Sequence, residues 1–336
     1  MKSKQIDYLN IGLIGISLLL AYVFPFKLFI YSYAILGPLH YLTEINWLRE
    51  KNYFVNERRW VWIAGACAFL LVIPLFFLQT SLSNLMEYEG LEKVILFGRK
   101  WSNTFVLLPF VLAIGFALFR KWRFLMMFLV VGIVLAISLN EFTLYGVLIG
   151  TMLPTMLHVY VFTVLFMLFG ALKSKSKVGI WAVVVALMVP IVIISNPVDP
   201  GNYLFGDAIK QIYTDNNWHS VNAQIAMILG QGDGTKFFFY ESLFLKVQIF
   251  IAFAYTYHYL NWFSKTTIIG WHKQLTKKRS LVIVGIWLIA ISLYAYDYKL
   301  GLLWLLFLSL LHVFLEFPLN ILSIRGIGEA LVKKEA

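Results

Sequence analysis

Stretches such as "IGLIGISLLLAYVF", "WVWIAGACAFLLVIPLFFL" and "GIWAVVVALMVPIVIIS" recur along almost the whole chain. A run of about 20 apolar residues is the length of α-helix that crosses a bilayer core of about 30 Å. No other feature narrows the choice of fold as much. Outer-membrane barrels carry weak alternating patterns, so continuous blocks argue for helices. The predicted fold class is therefore all-α: a polytopic transmembrane helical bundle in a bacterial-type inner (plasma) membrane. Composition agrees, with 60% hydrophobic and 13% charged residues, against about 25% charged in a typical globular domain. No small-residue cleavage site follows the first apolar stretch, so it reads as a retained span.

The pattern predicts about ten spans, at roughly 8–24, 27–47, 60–79, 102–120, 123–140, 150–172, 178–195, 239–263, 280–297 and 301–320. They form a single integral membrane domain over 1–336. Pro154 is expected to break or bend the sixth, leaving 141–149 as a re-entrant or surface segment. Of the 28 Lys and Arg, 20 fall at the two termini and in the loops after even-numbered spans, and seven in the loops after odd-numbered ones. Cytoplasmic segments carry the Lys/Arg excess. Both termini are thus expected inside, with 321–336 a cytoplasmic tail and 196–238 an extracytoplasmic loop. The middle of that loop, "AIKQIYTDNNWHSVNAQIAMIL", reads as a surface helix, and so does 81–94. The net charge of +11 sits in short clusters at span ends, as orientation requires, so no nucleic-acid partner is expected. A single cysteine, Cys67, excludes an intramolecular disulfide and a cysteine-built metal site.

Four of the six histidines fall inside predicted spans: His40, His158, His258 and His312. All lie on even-numbered spans. His40, His258 and His312 sit about five to eight residues before the cytoplasmic end, or about 8–12 Å at 1.5 Å per residue. His158 lies deeper. Polar side chains in the bilayer are costly and usually face the bundle interior at functional sites. Imidazole is the commonest nitrogen ligand for transition metals, and bundles build such sites from separate helices. These four are the candidate metal ligands. "HYLTE" and "HVFLE" add Glu44 and Glu316, each on the face of its histidine one turn on. Either acid could be a ligand, or accept a ligand's other N–H.

Other readings stay open. The same buried His and Glu residues would serve a proton- or ion-coupled transporter, although no matching pair of broken helices marks two halves. A non-catalytic membrane scaffold needs only helix–helix hydrogen bonds from these side chains. His258 and His272 would suit a bis-imidazole heme site if one helix ran through both. No HExxH zinc-protease motif is present. The glycine-rich "GQGDG" and "GIGE" lack a strand–turn–helix setting and read as turns.

"GPLHYLTE", "LPTMLHVYVF", "FAYTYHYLNWF" and "LLHVFLEFP" resemble motifs of the bacteriorhodopsin-related-protein-like (Brp/Blh) membrane β-carotene dioxygenases, which also carry a histidine on each of four spans. Gly37, Pro38, His40 and Glu44 match the first motif, and His312 with Glu316 the last. Trp262 stands where the third motif has a second histidine, its arginines are absent, and no acid follows His158. The resemblance implies non-heme Fe(II) held by the histidines, O2 as co-substrate, and oxidative cleavage of an apolar substrate such as a carotenoid.

Overall fold

The structure, a computed structural model, describes residues 3–52, 59–79 and 89–335. Among these residues there are helices and connecting turns but no strand. Seven helices are long and apolar enough to cross a membrane: Lys4–Val23, Arg59–Phe77, Trp122–Leu139, Thr143–Lys173, Lys177–Ser195, Lys277–Tyr296 and Tyr298–Val332. An eighth span is made if Gly90–Lys100 and Ser102–Leu118, bent by 61°, count as one. Two further helical stretches, 25–50 and Ser242–Ser264, have the length but not the apolarity. They hold His40, Glu44, Gln248, His258 and Asn261.

The chain folds into two compact units, interleaved in sequence. The first comprises residues up to Thr43, Val159–Leu302 and those from Gly326 onward. Its centre is α13 (Ser242–Ser264), packed by α1 (Ser3–Val23), α2 (Pro25–Tyr31), α10 (Lys177–Ser195) and α12 (Trp218–Ile228). Helix α13 is buried on every face, with Leu245, Ile249, Ala252 and Phe253 fully enclosed, as a helix surrounded by others must be. Gln248, wholly buried on it, is tied down at both ends of its amide. Tyr213 donates to Gln248 Oε1 (2.6 Å), and Gln248 Nε2 donates to the Pro25 carbonyl (3.1 Å).

The loop 196–238 departs from its expected single surface helix. It forms α11 (Asp207–Asp215) and α12, separated at Asn216–Asn217, where Asn217 takes a left-handed conformation (φ 58°). Asn tolerates that conformation better than most residues. The break turns Ala223 and Ala226 onto Phe244 of α13, so α12 has a buried face.

The second unit comprises Glu44–His158 and Leu303–Arg325. Here α4 (Arg59–Gln79) packs against both α5 (Glu89–Lys100) and α6 (Ser102–Leu118), and α6 against α7 (Trp122–Leu139). Of the surface segment expected at 81–94, residues 81–88 lie outside the described residues, and the rest begins α5. A Cβ at Gly98 would come within 2.8 Å of the Leu70 carbonyl oxygen and of Pro74 Cγ. Backbone cannot yield there, so Gly98→Ala should part α5 from α4 and destabilise by about 1–3 kcal/mol. A lowered thermal midpoint in detergent with unchanged helicity is the expected readout.

The expected break at Pro154 is absent. Helix runs from Thr143 to Lys173, as the short α8 (Thr143–Tyr145), a π-helical stretch Gly146–Phe162 and α9 (Thr163–Lys173). Residues 143–149 thus belong to this helix. A π-helix bonds i to i+5, so its wider turn moves the i−4 carbonyl that a proline ring would strike in an α-helix.

Candidate metal centre

In the first unit, His40 on α3 (Gly37–Glu50) meets His258 on α13. Their Nε2 atoms are 3.0 Å apart, with ring centroids at 4.5 Å and planes crossed at 73°. Thr163 Oγ1 lies 2.7 Å from His258 Nδ1. As acceptor of Nδ1–H it leaves the Nε2 lone pair facing His40. Tyr259 and Trp262 flank the His40 ring at 5.3 and 5.5 Å. Trp262 Nε1 donates to Thr43 Oγ1 at 3.0 Å, so the indole is held in place. Gly37 allows the close approach of the two helices, because a Cβ there would be 3.2 Å from the Tyr259 hydroxyl.

In the second unit, His158 on the π-helical stretch meets His312 on α16 (Tyr298–Glu335). Here the Nε2 atoms are 3.2 Å apart, with centroids at 5.0 Å and planes crossed at 76°. Glu316 Oε2 lies 3.2 Å from His158 Nδ1. Glu316 also hydrogen-bonds Glu44 and Asn320.

The two units thus repeat one local arrangement: two imidazoles on different helices, Nε2 facing Nε2, with an oxygen near one Nδ1 of each pair, in hydrogen-bond geometry at His258 and as a close charge contact at His158. Two nitrogens bound at about 2.0–2.1 Å to one tetrahedral ion lie about 3.3 Å apart, within a few tenths of an ångström of both observed separations. A plain N–H···N hydrogen bond spans a similar distance. The oxygens at Nδ1 favour ligation, since a metal-binding histidine usually gives its other N–H to a carboxylate or another oxygen. His40 and His258 in the first unit, and His158 and His312 in the second, are all buried.

Of the two places open to it in the sequence, beside a ligand's other nitrogen or as a ligand, Glu316 takes a position at His158 Nδ1, across helices from its own helix neighbour His312. Glu44 binds Glu316. Thr163 and Asn320 were not singled out in the sequence. The signal for Asn320 was present as an i, i+4 ladder, His312–Glu316–Asn320, along one helix face. Thr163 carried no such sign. The one-helix heme arrangement is absent: α13 ends at Ser264, and His272 sits exposed in a separate turn, Trp271–Gln274, its Nδ1 3.0 Å from the Thr266 carbonyl.

No protein-family model, curated protein or solved structure gives a significant match to this chain.

Proposed function

We propose that the protein is a membrane-embedded metalloenzyme, a non-heme iron oxygenase acting on a long apolar substrate such as a carotenoid, with His40, His158, His258 and His312 as metal ligands. The observation carrying this reading is the repeated imidazole pair, with Nε2 facing Nε2 and an oxygen at one Nδ1. The order of the four histidines along the chain, and their likeness to the Brp/Blh motifs, supplies the choice of iron and of substrate class. Bound iron would provide binding and activation of O2. The protein's own part is positional. Thr163 and Glu316 orient His258 and His158, Tyr259 and Trp262 wall His40, and Glu44 holds Glu316 beside the His158 ring. The same reading places about ten spans across an inner membrane of bacterial type, both termini and 321–336 in the cytoplasm and 196–238 outside, on the Lys/Arg distribution.

Protein purified in detergent without chelators is expected to carry about one equivalent of a transition metal by mass spectrometry, since a bound structural or catalytic ion is retained through purification. Less than about 0.2 equivalents of any such metal, and no uptake on adding Fe(II) anaerobically, would overturn the proposal. One observation favours a second reading, proton-coupled transport: the hydrogen-bonded Glu44–Glu316 pair, of the kind that relays protons in membranes. Metal-free protein that drives proton flux in liposomes, lost in Glu44→Gln, would select it.

A further inference from the structure

In the first unit a cavity of about 220 Å³ opens where the start of α1, the end of α9, the start of α10 and the end of α13 meet. Much of its wall is apolar, including Phe166, Met167, Ala182 and Ile268. Its polar groups are Asp7 and Asn10 from α1, Lys173 and Ser174 from the end of α9, and Lys265 just beyond α13.

Most of these polar groups are already engaged. Ser176 caps α10, its Oγ accepting from Gly179 N at 3.1 Å and donating to Asp7 Oδ2 at 2.5 Å. The Asp7 carboxylate is therefore seated at the start of α10, where the helix dipole favours a negative charge. Asn10 Nδ2 donates to the Ile6 carbonyl, and its Oδ1 accepts from Tyr257 and Ser264. Ser174 Oγ donates to the Gly170 carbonyl.

The two lysines differ. Lys265 Nζ lies over the Phe166 ring at 5.2 Å and Lys173 Nζ over the Phe169 ring at 5.8 Å. Neither makes an ion pair with a described residue, and Asp7 acts on Lys265 only from beyond that range. Two ammonium groups thus stand at the edge of an apolar cavity, at one end of α1, of α10 and of the Thr143–Lys173 helix that α9 completes, all long and apolar enough to span a membrane.

We propose that this cavity seats the phosphate head of an anionic membrane lipid between Lys173 and Lys265, its acyl chains leaving over the apolar wall. Basic pockets between membrane helices bind such heads. The volume suits a head and its first methylenes, not a whole lipid. A free phosphate ion would gain nothing from Phe166, Met167 or Ile268, which is the reason for choosing a lipid. The inference rests on the membrane reading of the chain and not on the metal.

Delipidated protein in detergent, titrated by native mass spectrometry with dioleoylphosphatidylglycerol, dioleoylphosphatidylcholine and inorganic phosphate, tests it. Phosphatidylglycerol should bind at least about tenfold more tightly than either other probe. Lys265→Gln should weaken it about fivefold and Lys173→Gln/Lys265→Gln about twentyfold, while Lys265→Arg keeps it. Burial pushes the Lys265 ammonium down to about 8. With Asp7 on α1 and Lys173 on α9 the other charged groups facing it, binding should weaken as pH rises through that value. Ala182→Leu narrows the cavity without changing charge and should also weaken binding. Retained affinity in the double glutamine variant, phosphatidylcholine binding as tightly as phosphatidylglycerol, or inorganic phosphate binding as tightly as the lipid overturns the proposal. Metal content is expected to stay unchanged in every variant, so failure here is separable from failure of the metal assignment.

Discussion

Alanine at His258 or at His312 should leave the purified protein almost free of metal. Each substitution removes one Nε2 of a facing pair, and leaves its partner, His40 or His158, without the second nitrogen that makes the pair chelating. Even outer partners of metal ligands contribute about 10–100-fold to affinity, so loss of a ligand should exceed about 100-fold. His272→Ala is the control. His272 is exposed in its own turn, and its removal should leave metal content as in the wild type. The measurement is elemental analysis of the three variants beside wild type, with helicity and monodispersity confirming the fold. Wild-type metal content in both His258→Ala and His312→Ala would make the imidazole pairs simple hydrogen bonds.

The second large effect is expected at Glu316. Its Oε2 is 3.2 Å from His158 Nδ1, close enough to act on how that ring is turned. Glu316→Leu removes the acceptor and should weaken metal affinity about 10–100-fold. Glu316→Gln keeps the shape and one acceptor oxygen, and should fall between wild type and Leu. Glu44→Gln should cost least, because the amide keeps an oxygen able to accept from Glu316. Competition with a chelator of known affinity reads the order directly. Equal affinities in wild type and Glu316→Leu would show that Glu316 holds helices together and does not orient His158.

Which side chains to look for could be read before any coordinates, for an energetic reason. Imidazoles and carboxylates within apolar blocks are too costly to be incidental, so His40, His158, His258, His312, Glu44 and Glu316 stood out against their surroundings. Their partners did not. Thr163 is a weakly polar residue in an apolar run. Tyr259 is one of 18 tyrosines, and nothing local sets it apart as the ring beside His40. Depth matching grouped His40, His258 and His312, yet His312 pairs with His158. The depth count assumed α-helical rise throughout, and His158 lies in a π-helical stretch, which is wider and advances less per residue.

The sequence by itself determined the class of this protein and the list of groups able to do chemistry in it. Apolar block length answers to bilayer thickness, and i, i+4 spacing answers to helix geometry; both are properties of a single segment. Tertiary structure decided who meets whom: Glu316 with His158 and not with its own helix neighbour His312, Thr163 with His258, and the two-helix course of 207–228. Those choices depend on the rotation and register of one helix against another. Between membrane helices these are set by the fit of side chains, with little hydrophobic drive to fix them, and no periodicity within one segment encodes them.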